Sequence, residues 1–230
     1  AREVTQLQTI LQKQIERYGK HIFDEGSIVF GCDLNYDNGV KSVKLETQFA
    51  GADLTINNFS NTIVTGGTSS AKARVVGTAA STATDQPTLM VQFLSDTEFQ
   101  DGETLTVTGT TTQANTVSST GASGLANSVG NGSIVSCSSG VFYVGGYFIF
   151  KDAETLILEK YSETPSYRIG FQTTESIVTS DSDNTLLDPA QGAYNYAAQG
   201  ATRYKVILNL SAKTFSATDE VEAAADANFY

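Results

Sequence analysis

Asp181, Asp183 and Asp188 fall close together in the chain. Grouped carboxylates invite two kinds of chemistry: acid–base cleavage of a glycosidic bond, or coordination of calcium. The surrounding residues favour neither. Asp181 and Asp183 sit in a Ser/Asn-rich run, where a short carboxylate accepts hydrogen bonds from nearby backbone N–H groups. Asp188 precedes Pro189, the setting of an Asx turn or a cap. Asp33, Asn35 and Asp37 look like the first half of a calcium loop. However, Gly39 falls one place past the position the EF-hand turn requires, and Lys44 stands where a bidentate Glu belongs. The chain has one histidine, His21, and two cysteines, Cys32 and Cys137, with no metal-site spacing between them. His21 reads as a helix-end residue and the cysteines as buried thiols; a bridge between them requires neighbouring strands. No G-x-S-x-G, P-loop, H-E-x-x-H or Rossmann pattern occurs. No catalytic, metal-binding or cofactor-binding residues are therefore expected, and an enzyme is not.

The three aspartates lie in the stretch 168–205, RIGFQTTESIVTSDSDNTLLDPAQGAYNYAAQGATRYK, which separates two strand-like runs at 168–178 and 203–210. A connection of this length is either functional or packed by its own side chains. The packing material is visible in Leu186, Leu187, Tyr194 and Tyr196, with a turn at Asp188-Pro189 and free φ at Gly192 and Gly200. An ordered, multi-turn crossover is the expectation.

Charged residues make up 17% of the 230, below the usual quarter, and small polar residues abound, which describes a turn-rich β protein. Fourteen basic against 25 acidic residues give a formal charge of −11, and the basic residues are scattered. Nucleic acid and anionic membrane surfaces are excluded as expected partners, because phosphate binding needs a concentrated positive footprint. No apolar run approaches the ~18 residues of a membrane-spanning helix, so membrane insertion is not expected, and no secretory signal pattern is present.

In the first segment, Val4, Leu7, Leu11, Ile15, Tyr18 and Ile22 recur at steps of three and four, which predicts an amphipathic helix with one broad apolar face. Those six residues are the candidate interface. Two uses of the face stay open: docking on the chain's own domain, or self-association along the helix. Gly19 is expected to fray or bend the last turn, and Gly26 to stop the helix. Asn38-Gly39 between two strand-like runs predicts a hairpin. Short strands are expected at 62–64, 71–78, 88–94 and 103–108, with Phe99 and Gly102-Glu103 forming a turn between the last two. A Ser/Thr/Gly-rich return linker follows at 110–132. Aromatic strands flanking Gly145-Gly146 predict a second hairpin, whose rings serve as core or as a sugar-stacking platform. The expected fold is mainly β: an N-terminal amphipathic helix, then an antiparallel β domain carrying an inserted small all-β module. The expected divisions are 1–46, helix and first hairpin; 47–124, the inserted module; 125–213, the main domain resumed; and 214–230, an acidic segment.

Two stretches, AREVTQLQTILQKQIERYGKHIFDEGSIV at 1–29 and LLDPAQGAYNYAAQGATRYK at 186–205, resemble a family of tailed-bacteriophage virion proteins, common in phages of cyanobacteria and marine bacteria, whose shared region is mostly a domain of unknown function. VGGYF at 144–148 fits that family's hairpin. The 47–124 module is similar, less specifically, to small β modules with an F-x-x-G-E turn in phage tail proteins. The resemblance implies a structural component of a tail, baseplate or fibre attachment, located in the virion and assembled in the host cytoplasm. It also implies a homo-oligomer, a trimer by preference, with other tail or baseplate proteins as partners. The family's chains usually extend past both ends of this sequence, so one segment of a longer protein is expected. The alternative function is a carbohydrate-binding module for host attachment, using exposed rings among Tyr143, Tyr147, Tyr194 and Tyr196. A third is a polysaccharide-cleaving enzyme using Asp181, Asp183 and Asp188.

Overall fold

The computed structural model describes residues 2–118, 127–214 and 229–230, with side chains from residue 6 onward. The chain opens with helix α1 (Arg2–Ile22) and is otherwise built from strands. The first five are β1 (Ser27–Gly31), β2 (Leu34–Asp37), β3 (Lys41–Lys44), β4 (Gln48–Phe49) and β5 (Ala52–Asp53). Next come β6 (Ile63–Gly66), β7 (Lys72–Ala79), β8 (Thr88–Phe93), β9 (Thr104–Val107), β10 (Gln113–Asn115) and β11 (Val129–Asn131). The last six are β12 (Ser133–Cys137), β13 (Gly140–Val144), β14 (Tyr147–Lys151), β15 (Glu154–Glu159), β16 (Tyr167–Val178) and β17 (Arg203–Thr214). Mainly β with an N-terminal helix is thus the fold. The chain divides into two compact units, one of residues 1–32, 139–152 and 168–230, the other of residues 33–138 and 153–167. Most of the acidic segment at 214–230 lies outside the described residues.

The second unit is built on a seven-stranded antiparallel sheet in the order β10-β9-β6-β7-β8-β3-β11. Alternate residues of its strands face one core: Val43, Leu89, Val91, Ala73, Val75, Val64, Leu105, Val107 and Ala114 are all buried in a single cluster, as the period of two demands. Ile56 and Phe59, from a short 3-10 turn, pack into the same cluster. Thr88 to Val91 is buried on both faces, because Met90 points the other way. There it packs with Val40 and Ile134, and with the partly buried Ile157 of β15, so the small sheet β2-β12-β15 covers that side.

β6 to β9 fall where the strands were expected, but the sheet also takes in β3 and β11, so the compact unit does not begin at 47 or end at 124. The run 110–132 holds two strands, β10 and β11, and residues 119–126 within it lie outside the described residues. The Asn38-Gly39 hairpin does not form. β2 pairs with β12, and β3 with β8 and β11. A type I′ turn needs positive φ at both central residues, and neither Asn38 nor Gly39 has it. The Asp37 carboxylate accepts the Gly39 N–H at 2.8 Å instead, opening the turn toward a different sheet.

Glu103 is buried in this unit and its carboxylate is fully used. It accepts from the backbone N–H groups of Thr68, Ser69 and Gln100 at 3.0, 2.9 and 2.7 Å, and from the Ser69 hydroxyl at 2.9 Å. The expected turn at Phe99 and Gly102-Glu103 is therefore a clamp: Phe99 enters the core, Gly102 takes a φ of +73°, and Glu103 holds the β6–β7 turn. A bond to a charged group contributes about 1.5–3 kcal/mol, and truncating one partner leaves the others unsatisfied. Glu103→Ala is expected to cost about 3 kcal/mol. Urea unfolding of this unit would show it, and a change within ~0.5 kcal/mol would contradict the clamp.

A second polar cluster joins the end of β15 to the start of β8. Lys160 pairs with Asp85 at 2.8 Å, the Tyr161 hydroxyl donates to the other Asp85 oxygen, and Lys44 lies 4.5 Å over the Tyr161 ring. Burial pushes the Asp85 carboxyl up, and the bonds from Lys160 and Tyr161 outweigh it, leaving the group below its usual range. Burial and the bond to Asp85 push the Tyr161 hydroxyl up to about 12. A raised folded value contributes stability that is whole below the unfolded value near 10 and is lost as pH rises toward 12. Between those limits the wild type is expected to lose stability with pH more steeply than Tyr161→Phe. Parallel slopes in denaturant titrations of the two proteins would contradict this.

Candidate assembly surface

The first unit contains the sheet β1-β13-β14 and the pair β16-β17. The expected hairpin is present between β13 and β14, with φ of +61° at Gly145 and +81° at Gly146. Its two faces have different neighbours. Phe142 points toward β16, its ring centroid 4.6 Å from that of Phe171. Tyr143 and Phe148, directly opposite each other in register, point to the other face, where Phe23 stacks edge-on against Phe148 at 5.6 Å.

On that second face lies α1. Gly19 is its only buried residue with a described side-chain environment, and a Cβ at Gly19 would overlap the Tyr143 ring. The Tyr143 hydroxyl donates to the Glu16 carbonyl at 3.0 Å, and the Gln12 amide donates to the Gly146 carbonyl at 3.2 Å. Burial, with Glu25 and Glu16 nearby, pushes the Tyr143 hydroxyl above its ordinary value, so it stays a donor. Gln12, Glu16 and Gly19 stand at steps of four and three and form one edge of the helix.

The predicted apolar face is elsewhere. Leu7, Leu11, Ile15, Tyr18 and Ile22 form a stripe roughly 100° round the cylinder from that edge at 3.6 residues per turn. All five are exposed, Leu7 and Tyr18 by 67% and 66%, and Ile10, also exposed, widens the stripe on the side away from the sheet. The Val4 side chain lies outside the described residues. The helix thus docks on its own unit, by a polar edge. Gly19 does not fray the last turn; it is the notch that receives Tyr143. Nothing in the sequence near Gly19 marks it as a contact, whereas Ile10 was visible as an apolar residue beside the stripe.

The other sequence candidates are dispersed. Asp183 caps the short 3-10 turn Asn184–Leu186 by accepting from the Thr185 N–H at 2.9 Å, and Asp188 accepts from the Ala190 N–H at 2.9 Å. Asp181 is exposed, and among the described residues no three His, Cys, Asp or Glu side chains are grouped as metal ligands. The crossover between β16 and β17 is ordered as expected. Its base is tied by Gly200 N–H to Leu186 O at 2.9 Å and by a reciprocal pair of backbone bonds between Asp188 and residues 197 and 198, each 3.0 Å. Only Leu186 of the expected packing residues is buried. Tyr194 and Tyr196 are exposed, Tyr194 by 105%, because successive backbone turns between Pro189 and Ala198 satisfy the tip and leave no core for the rings. Among the four tyrosines considered for sugar stacking, Tyr143 is buried and Tyr147 lies against Tyr204 at 5.7 Å. Cys32 and Cys137 are both buried, and neither is in a disulfide.

These features define an antiparallel β protein that carries an N-terminal helix with its apolar face uncovered. Residues 91–224, more than half of the chain, match the family described as a domain of unknown function, DUF4815, and the chain belongs to that family. No curated protein and no solved structure matches it.

In an isolated helix Gly→Ala is stabilising by about 1 kcal/mol. Here Gly19→Ala is expected to destabilise the first unit, because the added methyl must displace the Tyr143 ring. A raised melting temperature for the variant would contradict the notch.

Proposed function

We propose that the protein is a structural component of a tailed-phage virion, in the tail, baseplate or fibre attachment, acting by assembly and not by catalysis. One observation carries the assembly reading: the stripe of Leu7, Leu11, Ile15, Tyr18 and Ile22 is exposed on a helix already held by its other edge. Covering five such side chains is worth roughly 5–10 kcal/mol before the costs of association. An assembled particle supplies such cover, and exposed apolar faces of this kind mark interaction sites. The virion reading rests on the resemblance of stretches 1–29 and 186–205, and homo-oligomerisation, a trimer by preference, is the form of assembly proposed. Other tail or baseplate proteins are the remaining partners.

The exposure of Tyr194 and Tyr196 on a loop tied at its base favours a second reading, attachment to carbohydrate through stacked rings. The two make different demands. Light scattering on the wild-type chain is expected to give a multiple of the monomer mass, with Leu11→Glu/Ile15→Glu reduced to the monomer and unchanged in circular dichroism. Tyr194→Ala is expected to keep the multimer. A wild type that stays monomeric at high concentration and is missing from purified particles would sink the assembly reading. Loss of retention on immobilised polysaccharide in Tyr194→Ala would favour the second.

A further inference from the structure

Phe229 and Tyr230 follow β17 at a distance of fourteen residues, yet they are seated in the first unit against β16. Phe171 and Tyr230 exchange both backbone bonds, Phe171 N–H to Tyr230 O at 2.7 Å and Tyr230 N–H to Phe171 O at 3.0 Å, and Phe229 stands opposite Gln172. The two residues thus make a one-rung antiparallel bridge to β16.

Two glycines make the space. A Cβ at Gly170 would overlap the Tyr230 carbonyl and come within 2.7 Å of the Phe229 ring, and a Cβ at Gly26 would overlap the Tyr230 ring. Gly26 also holds a φ of +80°, which L side chains rarely adopt. The Phe229 ring is buried, with the Lys213 ammonium 4.4 Å and the Arg168 guanidinium 5.9 Å from its centroid. Both distances lie within the range of a cation–π contact. The Tyr230 hydroxyl lies 3.4 Å from Glu25 Oε1, the atom that also accepts the Gly145 N–H. Together the two residues bring backbone pairing, a ring between two cations and a phenol in reach of a carboxylate.

We propose that Gly26, Gly170, Phe171, Arg168, Lys213 and Glu25 form a strand-docking slot that recognises an extended Phe-Tyr dipeptide, and that its filling fixes the corner at residues 23–26 between α1 and β1. Backbone pairing along β16 supplies register, and the two ring sites supply selectivity, as in other cases of strand addition to a sheet edge. The slot is a property of this chain's own packing and stands whether or not the protein assembles.

The test uses the full chain. Phe229→Ser/Tyr230→Ser keeps the backbone and removes both rings, so the Phe171 amide is expected to exchange with deuterium at least tenfold faster, while amides of β6 to β9 keep their protection. A synthetic peptide with the sequence of residues 226–230, DANFY, is then expected to bind the double variant saturably and restore protection at Phe171. It should leave the wild type, whose slot is filled, unaffected. Phe229→Leu, which keeps an apolar body, is expected to fall between the two. Gly170→Ala added to the double variant is expected to abolish peptide binding. The proposal is overturned if Phe171 stays protected in the double variant, if the peptide binds wild type and variant alike, or if a DANSS peptide protects as well as DANFY.

Discussion

The Tyr143 ring lies in the space left by the missing side chain of Gly19, and this contact decides which side of α1 belongs to the protein's interior. A helix with one apolar stripe and one polar face is ordinarily held by the stripe. Here the hydroxyl of a single tyrosine reaches the Glu16 carbonyl, a glutamine reaches the hairpin turn, and the ring fills the notch between them. The rest of the first unit follows from that choice. Tyr143 must face α1, so its neighbours in sequence, Phe142 and Val144, must face β16, and the aromatic hairpin is committed on both sides.

The second unit depends on a different kind of constraint. Its strands are short and its turns rich in Thr, Ser and Gly, so side-chain area alone gives little definition to where each turn sits. The buried Glu103 carboxylate supplies it, gathering three backbone N–H groups and a hydroxyl from two turns that are far apart in sequence. A buried carboxylate is costly unless every lone pair is used, which makes the geometry of those turns narrow.

Much of this was legible in the residues, and the failures have physical causes. The helix period, the Gly145-Gly146 turn and strands β6 to β9 are local signals, and the structure keeps them. The Asn38-Gly39 hairpin was lost because Asp37 offers the Gly39 N–H a nearer acceptor than a partner strand does. The turn roles of Asp183 and Asp188 were readable because an Asx turn is made within three residues. The exposure of Tyr194 and Tyr196 was not, since apolar character in a sequence says nothing of whether a core lies within reach. The docking edge of α1 was hidden for the same reason: its partners are a tyrosine and a carbonyl more than a hundred residues away.

That separation in sequence also sets an order in time. Tyr143 and Glu16 are 127 residues apart, so at 5–20 residues per second the ribosome needs roughly 6–25 s after making α1 to supply the residue that holds it. During that interval the helix has no hairpin to lie on, while its apolar stripe is already complete. The stripe is therefore laid down on the growing chain before the sheet exists, and the polar edge is fitted afterwards, when the hairpin emerges.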